Sequence, residues 1–213
     1  MKNLYIPGMN SSAEEYEKVK QLFKEEGLSL ERLLENYLAI SRMSKNDVIY
    51  TLVKKLDELS AYQDTTLICH SMGCNLGFLG ARHPAVKKMV LISPEIYAST
   101  KEEKKCAREL KQMKYQDETE RKIKFRSLSA HLYLVGLFLR SRKWALQSLN
   151  DFKKPIMIVY SEGDHFVSKS GIERLEKMSE SIDTITLETS YHNPFMSDKG
   201  KVLTKKINEF IEK

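Results

Sequence analysis

Ser71 lies in a sequence that favours nucleophilic chemistry. Residues 65–77 read TTLICHSMGCNLG, in which an apolar run typical of a buried strand passes directly into a helix of small residues. A serine at such a junction occupies a tight, strained turn that exposes its hydroxyl, and small residues two positions before and after it prevent a clash. Cys69 and Gly73 hold those positions. The pattern predicts that Ser71 is a nucleophile; the competing interpretation is a serine that merely caps a buried helix.

Two other side chains have the types and positions needed to activate that serine. Asp164 follows the predicted strand 155–161 in the loop SEGDHFVS, and His192 lies in the loop SYHNPF after the last predicted strand. A serine hydroxyl is a weak nucleophile until a base takes its proton during the attack. We expect His192 to be that base and Asp164 to hold the imidazole in the tautomer that the reaction needs.

Other side chains nearby compete for these roles. Glu162 is the alternative acid, and His165 adjoins Asp164 in the same loop. His70 precedes the serine, but the alternation of a regular strand points it the other way, which favours a structural role. His131 lies on the apolar face of a predicted helix, from which it can contact a substrate.

The elements that must position these residues alternate between strands and helices. Six apolar runs predict strands, at residues 4–6, 28–33, 65–70, 86–93, 155–161 and 182–188. Amphipathic spacings between them predict helices, the first of which begins at a capping box formed by Ser12 and Glu15. This alternation predicts an α/β fold, with a mostly parallel sheet of about six strands covered by helices on both faces. Ser71, Asp164 and His192 all follow the carboxyl ends of strands, where ligands and catalytic groups gather in such sheets.

The segment from about residue 97 to 151 interrupts the alternation. It is helical in character, highly charged, and ends in the apolar run LSAHLYLVGLFL. A stretch of this size between two strands predicts a helical cap inserted into a single domain of residues 1–213. Lying over the carboxyl edge of the sheet, the cap would help to form the walls of a pocket above Ser71. The predicted pocket residues are Leu132, Val135 and Leu139.

Together these motifs resemble the α/β-hydrolase fold superfamily, of the small serine esterase, lipase and thioesterase type, from Leu4 to Ile211. The chain order Ser, Asp, His is the order found in that family. The resemblance implies Ser71 as nucleophile, Asp164 as acid and His192 as base, with no cofactor. It also implies a sheet reduced to six strands in the order 2-1-3-4-5-6, because the chain lacks the antiparallel strands that usually precede the first of these.

An oxyanion hole is expected from two backbone N–H groups. The loop PGMNSS follows the first strand and can supply the N–H of Met9, and Met72 directly follows the nucleophile. The resemblance implies the same pair. The family commonly has His-Gly where this chain has Pro7-Gly8, so the hydrogen bonds made by that histidine must be replaced.

Composition narrows the class of protein. A chain of 213 residues with 41% hydrophobic and 30% charged residues is typical of a globular domain, neither disordered nor membrane-spanning. Three cysteines, Cys69, Cys74 and Cys106, are odd in number and lack the spacing of metal ligands. They predict free thiols in a reducing compartment and no metal site. The start MKNLYIPG has no signal-peptide pattern, so we expect a cytoplasmic protein.

Positive charge is concentrated in the predicted cap. Residues 101–154 hold 15 Lys and Arg against 7 Asp and Glu, although the whole chain has a net charge of only +6. A lysine-rich helix face is usually just solvated; the alternative is a weak contact with an anionic membrane surface. No motif or aromatic interleaving supports nucleic-acid binding.

Two functions from different classes fit these residues. The first is a cofactor-independent serine hydrolase that cleaves a small carboxylic ester or thioester through an acyl-enzyme, using a Ser-His-Asp triad. The second is a non-catalytic α/β-hydrolase-fold protein that binds a ligand or transmits a signal, because a fold does not fix a function. The sequence leaves the oligomeric state open.

Overall fold

The computed structural model describes residues 1–9, 11–34, 36–61, 63–96, 128–149, 152–164, 166–178 and 181–213. Within them the strands are β1 (Lys2–Ile6), β2 (Glu31–Arg32), β3 (Thr65–His70), β4 (Val86–Ile92), β5 (Ile156–Ser161) and β6 (Ile182–Leu187). The helices are α1 (Ala13–Glu25), α2 (Tyr37–Ile40), α3 (Lys45–Ser60), α4 (Met72–Gly80), α5 (Leu128–Leu149), α6 (Lys169–Glu176) and α7 (Gly200–Glu212), with a short 3₁₀ helix at Pro194–Met196.

The strands pair in parallel in one sheet, ordered β2-β1-β3-β4-β5-β6 across the described residues. This confirms the predicted sheet and its strand order. Because all the strands run the same way, the loops after them emerge at one edge, the carboxyl edge. The strands β3 and β4 lie at the middle of the sheet, so a residue at the end of β3 is close to loops from both sides.

The alternation of side chains along the central strands builds two apolar layers. In β3, Leu67 and Cys69 join the core beneath α3, α4 and α5, whereas Ile68 joins the core beneath α1 and α7. In β4, Leu91 and Val90 divide between the layers in the same way. Such runs are continuously apolar because a parallel strand is buried on both faces.

Helix starts follow the local chemistry that the sequence indicates. At α1, Ser12 Oγ accepts the N–H of Glu15 at 3.0 Å, and the Glu15 carboxylate accepts the N–H of Ser12 at 3.3 Å. The predicted capping box is therefore confirmed. The expectation for residues 28–33 was too long, because β2 spans only Glu31–Arg32.

The helix α5 carries the apolar run of the predicted cap. Leu137, Ala145 and Leu149 are buried on the face that packs against α4, and the amide of Asn75 donates to Ser141 Oγ at 3.4 Å. The side chain of Leu139 is 52% exposed. Part of the apolar run therefore belongs to the core of the sheet layer. The rest of the predicted cap, residues 97–127 and 150–151, lies outside the described residues. No helix in the described ranges has the length and apolarity needed to cross a bilayer.

The amino edge of the sheet is closed by charged side chains. Lys154, just before β5, donates through Nζ to the carbonyls of Ala81, His83 and Val86. His83 Nε2 lies 2.9 Å from Asp57 Oδ1 at the side of α3. These contacts join α3, the end of α4 and the starts of β4 and β5 at the edge away from Ser71.

Candidate active site

Ser71 occupies a tight turn between β3 and α4. Its φ of 52° and ψ of −125° place a non-glycine residue in a sparsely populated backbone region, and its N–H donates to the Ile92 carbonyl at 2.8 Å. A Cβ on Gly73 would lie 2.3 Å from the Ile6 carbonyl oxygen, so only glycine lets α4 start this close to β1. The hydroxyl of Ser71 makes no capping hydrogen bond to α4. The geometry is therefore that of a strand-turn-helix elbow rather than of a helix cap.

Asp164 and His192 meet at the ends of β5 and β6. Asp164 Oδ2 lies 2.9 Å from His192 Nδ1, and Asp164 Oδ1 accepts the N–H of Phe166 at 2.8 Å. The Asp164 side chain is fully buried, and these two contacts fix the orientation of its carboxylate. A carboxylate accepts and does not donate, which puts the proton of a neutral His192 on Nδ1 and leaves Nε2 able to take another.

The backbone of the histidine loop is held by hydroxyl and imidazole donors. Ser93 Oγ donates to the carbonyl of His192 at 2.7 Å, and His70 Nε2 donates to the same oxygen at 3.2 Å. Ser161 Oγ donates to the carbonyl of Tyr191 at 2.8 Å. His70 thus supports the histidine loop, in agreement with the expected structural role. Its ring lies against that of His192, although the strand alternation predicted that it points the other way.

The other ring nitrogen of His192 faces a residue that the sequence analysis missed. Glu95 Oε1 lies 3.8 Å from His192 Nε2. Within the described residues, no hydrogen bond joins Ser71 Oγ to this nitrogen, although Ser71 adjoins His70, whose ring lies 5.1 Å from that of His192. Contacts between nucleophile and base are often long in unliganded sites and tighten when substrate binds. Glu95 stands in the run ISPE directly after β4, and that position at the carboxyl edge was the available signal.

The loop after β1 lies against the serine. A Cβ on Gly8 would approach Ser71 Cβ to 3.3 Å and His70 Nδ1 to 2.9 Å. The hydroxyl of Tyr37, at the start of α2, donates to the Pro7 carbonyl. Buried Tyr37 therefore supports the loop that carries Pro7-Gly8, where the family that the sequence resembles commonly has His-Gly.

The chain is similar to known proteins in its fold rather than in its sequence. No family model and no curated protein matches the chain. A monoacylglycerol lipase from Paleococcus ferrophilus is 16% identical, with a TM-score of 0.69 over 98% of this chain and 92% of that one. One of two metagenome-derived lipolytic enzymes, LipS and LipT, is 15% identical, with a TM-score of 0.71 over 99% and 93%. An alpha/beta hydrolase enzyme from a sediment metagenome of the Mar Chica lagoon, Morocco, is 16% identical, with a TM-score of 0.68 over 100% and 90%.

The chain has the α/β-hydrolase fold. Strand order, parallel direction and near-complete coverage of these structures agree with it. In this α/β-hydrolase fold, Ser71, Asp164 and His192 follow β3, β5 and β6 at one edge of the sheet. Glu162 is exposed and Asp164, not Glu162, contacts His192.

For several predicted site residues of this α/β-hydrolase fold, the functional role stays a prediction. Met72 carries the first N–H of α4, and half-buried Met9 belongs to the loop beside Ser71; their oxyanion role stays a prediction. His165 and the side chains of His131, Leu132 and Val135 lie outside the described part of the structure. The pocket role of Leu132, Val135 and Leu139 also stays a prediction. Among the described residues, no three His, Cys, Asp or Glu side chains are grouped to hold a metal.

The charges around His192 determine its protonation. Burial lowers the pKa of His192, but the Asp164 carboxylate, with Glu95 and Glu15 adding to it, raises this pKa to about 9. His70, whose ring faces His192, is buried and next to that charge, so its pKa falls to about 3 and it stays neutral. Burial alone would raise the pKa of Asp164, but the neighbouring imidazolium lowers it below its usual value. The resting site is therefore an imidazolium between two carboxyl groups.

This protonation predicts a pH dependence for the ester hydrolysis expected from the sequence. Only a neutral imidazole can accept the serine proton, so kcat/KM should rise with pH and level off above about 9. The substitution Glu95→Gln removes one negative charge beside His192 and should move the rise to lower pH. Steady-state rates corrected for spontaneous hydrolysis test this, and a profile that is flat from about pH 6 to 9 would contradict it.

Proposed function

We propose that this protein is a serine hydrolase that cleaves a carboxylic ester or thioester. One observation carries the proposal: His192 lies 2.9 Å from the buried carboxylate of Asp164, at the same sheet edge as a serine in a strained elbow. The neighbouring structures named as a lipase and as lipolytic enzymes support the same reaction class. Cytoplasmic location remains a prediction.

The proposed reaction has two halves. Ser71 Oγ attacks the carbonyl carbon while His192 Nε2 takes the hydroxyl proton, and Asp164 stabilises the imidazolium. The bond to the leaving alcohol or thiol then breaks, and His192 gives that group the proton, which leaves an acyl group on Ser71. Water attacks this acyl-enzyme, with His192 again accepting and returning a proton, and the carboxylic acid leaves.

The oxyanion in each half needs donors. The N–H groups of Met72 and Met9 are proposed for this, because one begins α4 beside Ser71 and the other belongs to the loop that Gly8 brings against the serine. Each such donor contributes about 3–4 kcal/mol to transition-state stabilisation in a well-studied protease.

A fluorophosphonate probe tests the proposal directly. The Ser71 hydroxyl would attack phosphorus and expel fluoride, so the native protein should be labelled and Ser71→Ala should not. Ser29→Ala, which alters an exposed serine away from the site, is the matched control and should label like the wild type. Heat-denatured protein should not label.

The opposite labelling result supports the second candidate, a non-catalytic ligand-binding or signalling protein. The observation in its favour is that His192 Nε2 faces Glu95 and is not hydrogen-bonded to Ser71 among the described residues. A native protein that resists the probe at about pH 9, where His192 is substantially neutral, would decide for this candidate.

Substrate range needs a separate panel. Esters and acyl-CoA thioesters of graded chain length would distinguish the two bond types, and the predicted apolar cap residues favour medium acyl chains over acetate. Binding to anionic vesicles that weakens as salt is added would support the membrane contact proposed for the basic segment 101–154.

A further inference from the structure

Glu95 lies beside the histidine nitrogen that serves the leaving group in the proposed reaction. It follows β4, two residues after Ser93, and its Oε1 is 3.8 Å from His192 Nε2. That nitrogen gives its proton to the departing oxygen, which it must approach to within about 3 Å. The departing oxygen and the Glu95 carboxylate are therefore both neighbours of His192 Nε2.

The Glu95 carboxylate is largely shielded from solvent and forms no hydrogen bond with the imidazole. Its side chain is 11% exposed, and the 3.8 Å contact is longer than a hydrogen bond. Ser93, with a φ of 49°, and buried Pro94 restrict the backbone that carries it. A carboxylate on a restricted backbone, with no hydrogen bond to the imidazole, is an acceptor that can bind a donor brought by a substrate.

The neighbouring charges indicate which donor fits. His192 lies 3.8 Å from Glu95, and the positive charge of Arg142 in α5 also acts on Glu95. Burial raises the pKa of Glu95 to about 7, while these two positive charges oppose the rise. Because these positive charges already compensate the Glu95 carboxylate, a further cation would gain little by binding to it. A neutral hydroxyl can bind without bringing another charge into a buried site.

We propose that Glu95 determines leaving-group specificity by accepting a hydrogen bond from a hydroxyl on the alcohol part of the substrate. A hydroxyl on the carbon next to the ester-bearing carbon would reach it, so the substrate class is the monoester of a vicinal diol or polyol. The proposal rests on the serine hydrolase function proposed above, because it uses the same Ser71 and His192.

A pair of esters that differ in one group isolates this contact. Hydroxyethyl butyrate and propyl butyrate have the same acyl chain and nearly the same shape, but only the first carries the donor. At pH 8, where Glu95 is mostly ionised, wild type should prefer hydroxyethyl butyrate in kcat/KM by about tenfold or more. Glu95→Leu should abolish the preference, and Glu95→Gln, which keeps one acceptor oxygen, should retain part of it.

The preference is a ratio within each variant, so general damage to the enzyme cancels. Glu188→Gln, which neutralises an exposed carboxylate after β6, is the matched control and should keep the wild-type ratio. Equal rates on the two esters in wild type, or an unchanged ratio in Glu95→Leu, would overturn the proposal. If Glu95→Leu does not fold, an unchanged ratio in Glu95→Gln would overturn it. Failure of the underlying function shows separately, as turnover of both esters that survives Ser71→Ala.

Discussion

Ser71→Ala should lower kcat for ester hydrolysis by about four to six orders of magnitude while leaving the fold intact. The hydroxyl is the proposed nucleophile, and no other group among the described residues holds its position in the elbow. Because it makes no capping hydrogen bond, its loss should change the thermal midpoint little. Steady-state kinetics with a chromogenic ester, beside a thermal melt, measure both effects. Near wild-type turnover would exclude the mechanism.

A double variant shows whether the residues act together. His192→Ala alone should be about as damaging as Ser71→Ala, since each removes the same step. Combining the two should cost little more than either alone, because the members of such a unit are strongly non-additive. Losses that multiply would mean that the two residues contribute to different steps.

Asp164→Asn should lower kcat by about 10⁴-fold, the loss found for the corresponding change in a serine protease. The asparagine carbonyl can still accept the N–H of Phe166, which now bonds to Asp164 Oδ1 at 2.8 Å. Its amide would donate to His192 Nδ1 and force the imidazole proton onto Nε2. The reaction needs Nε2 unprotonated, because it must accept the serine proton. The Asp164→Asn variant should therefore fold like the wild type but lose most of its hydrolytic activity.

Glu162→Gln is the control for this prediction. Glu162 is an exposed carboxylate in the same loop, and it was the alternative acid on sequence grounds. The control should keep wild-type kcat, measured in parallel with Asp164→Asn. A large loss in Glu162→Gln together with an active Asp164→Asn would reverse the assignment of the acid.

Most of the fold was predictable from local patterns in the sequence. Strand limits at β3, the capping box at Ser12 and the parallel alternation each depend on residues close in sequence, and each was predictable. Two residues, Glu31 and Arg32, were too few for periodicity to place β2 within its longer predicted run. Its length depends on how much of the chain pairs with β1, which is a tertiary property.

The site likewise contains residues that the sequence predicts and residues that only the folded structure reveals. Ser71, Asp164 and His192 stand out because each follows a recognisable strand in a known chain order. Glu95 and Tyr37 act through contacts across the fold: one faces His192 Nε2, and the other holds the Pro7 carbonyl. No spacing in the sequence encodes either contact, because each exists only after separate elements have packed.

The hydrogen bonds that Lys154 forms at the amino edge affect which substitutions this protein can tolerate. Its ammonium ties three carbonyls together at the end of the sheet opposite Ser71 and Glu95. Substitutions that change selectivity at the carboxyl-edge loops therefore leave these hydrogen bonds intact. Distant sites tend to contribute independently to stability. The Lys154 contacts and the proposed active site thus lie at opposite ends of one sheet, so we expect substitutions that change substrate selectivity to have little effect on the stability that Lys154 provides.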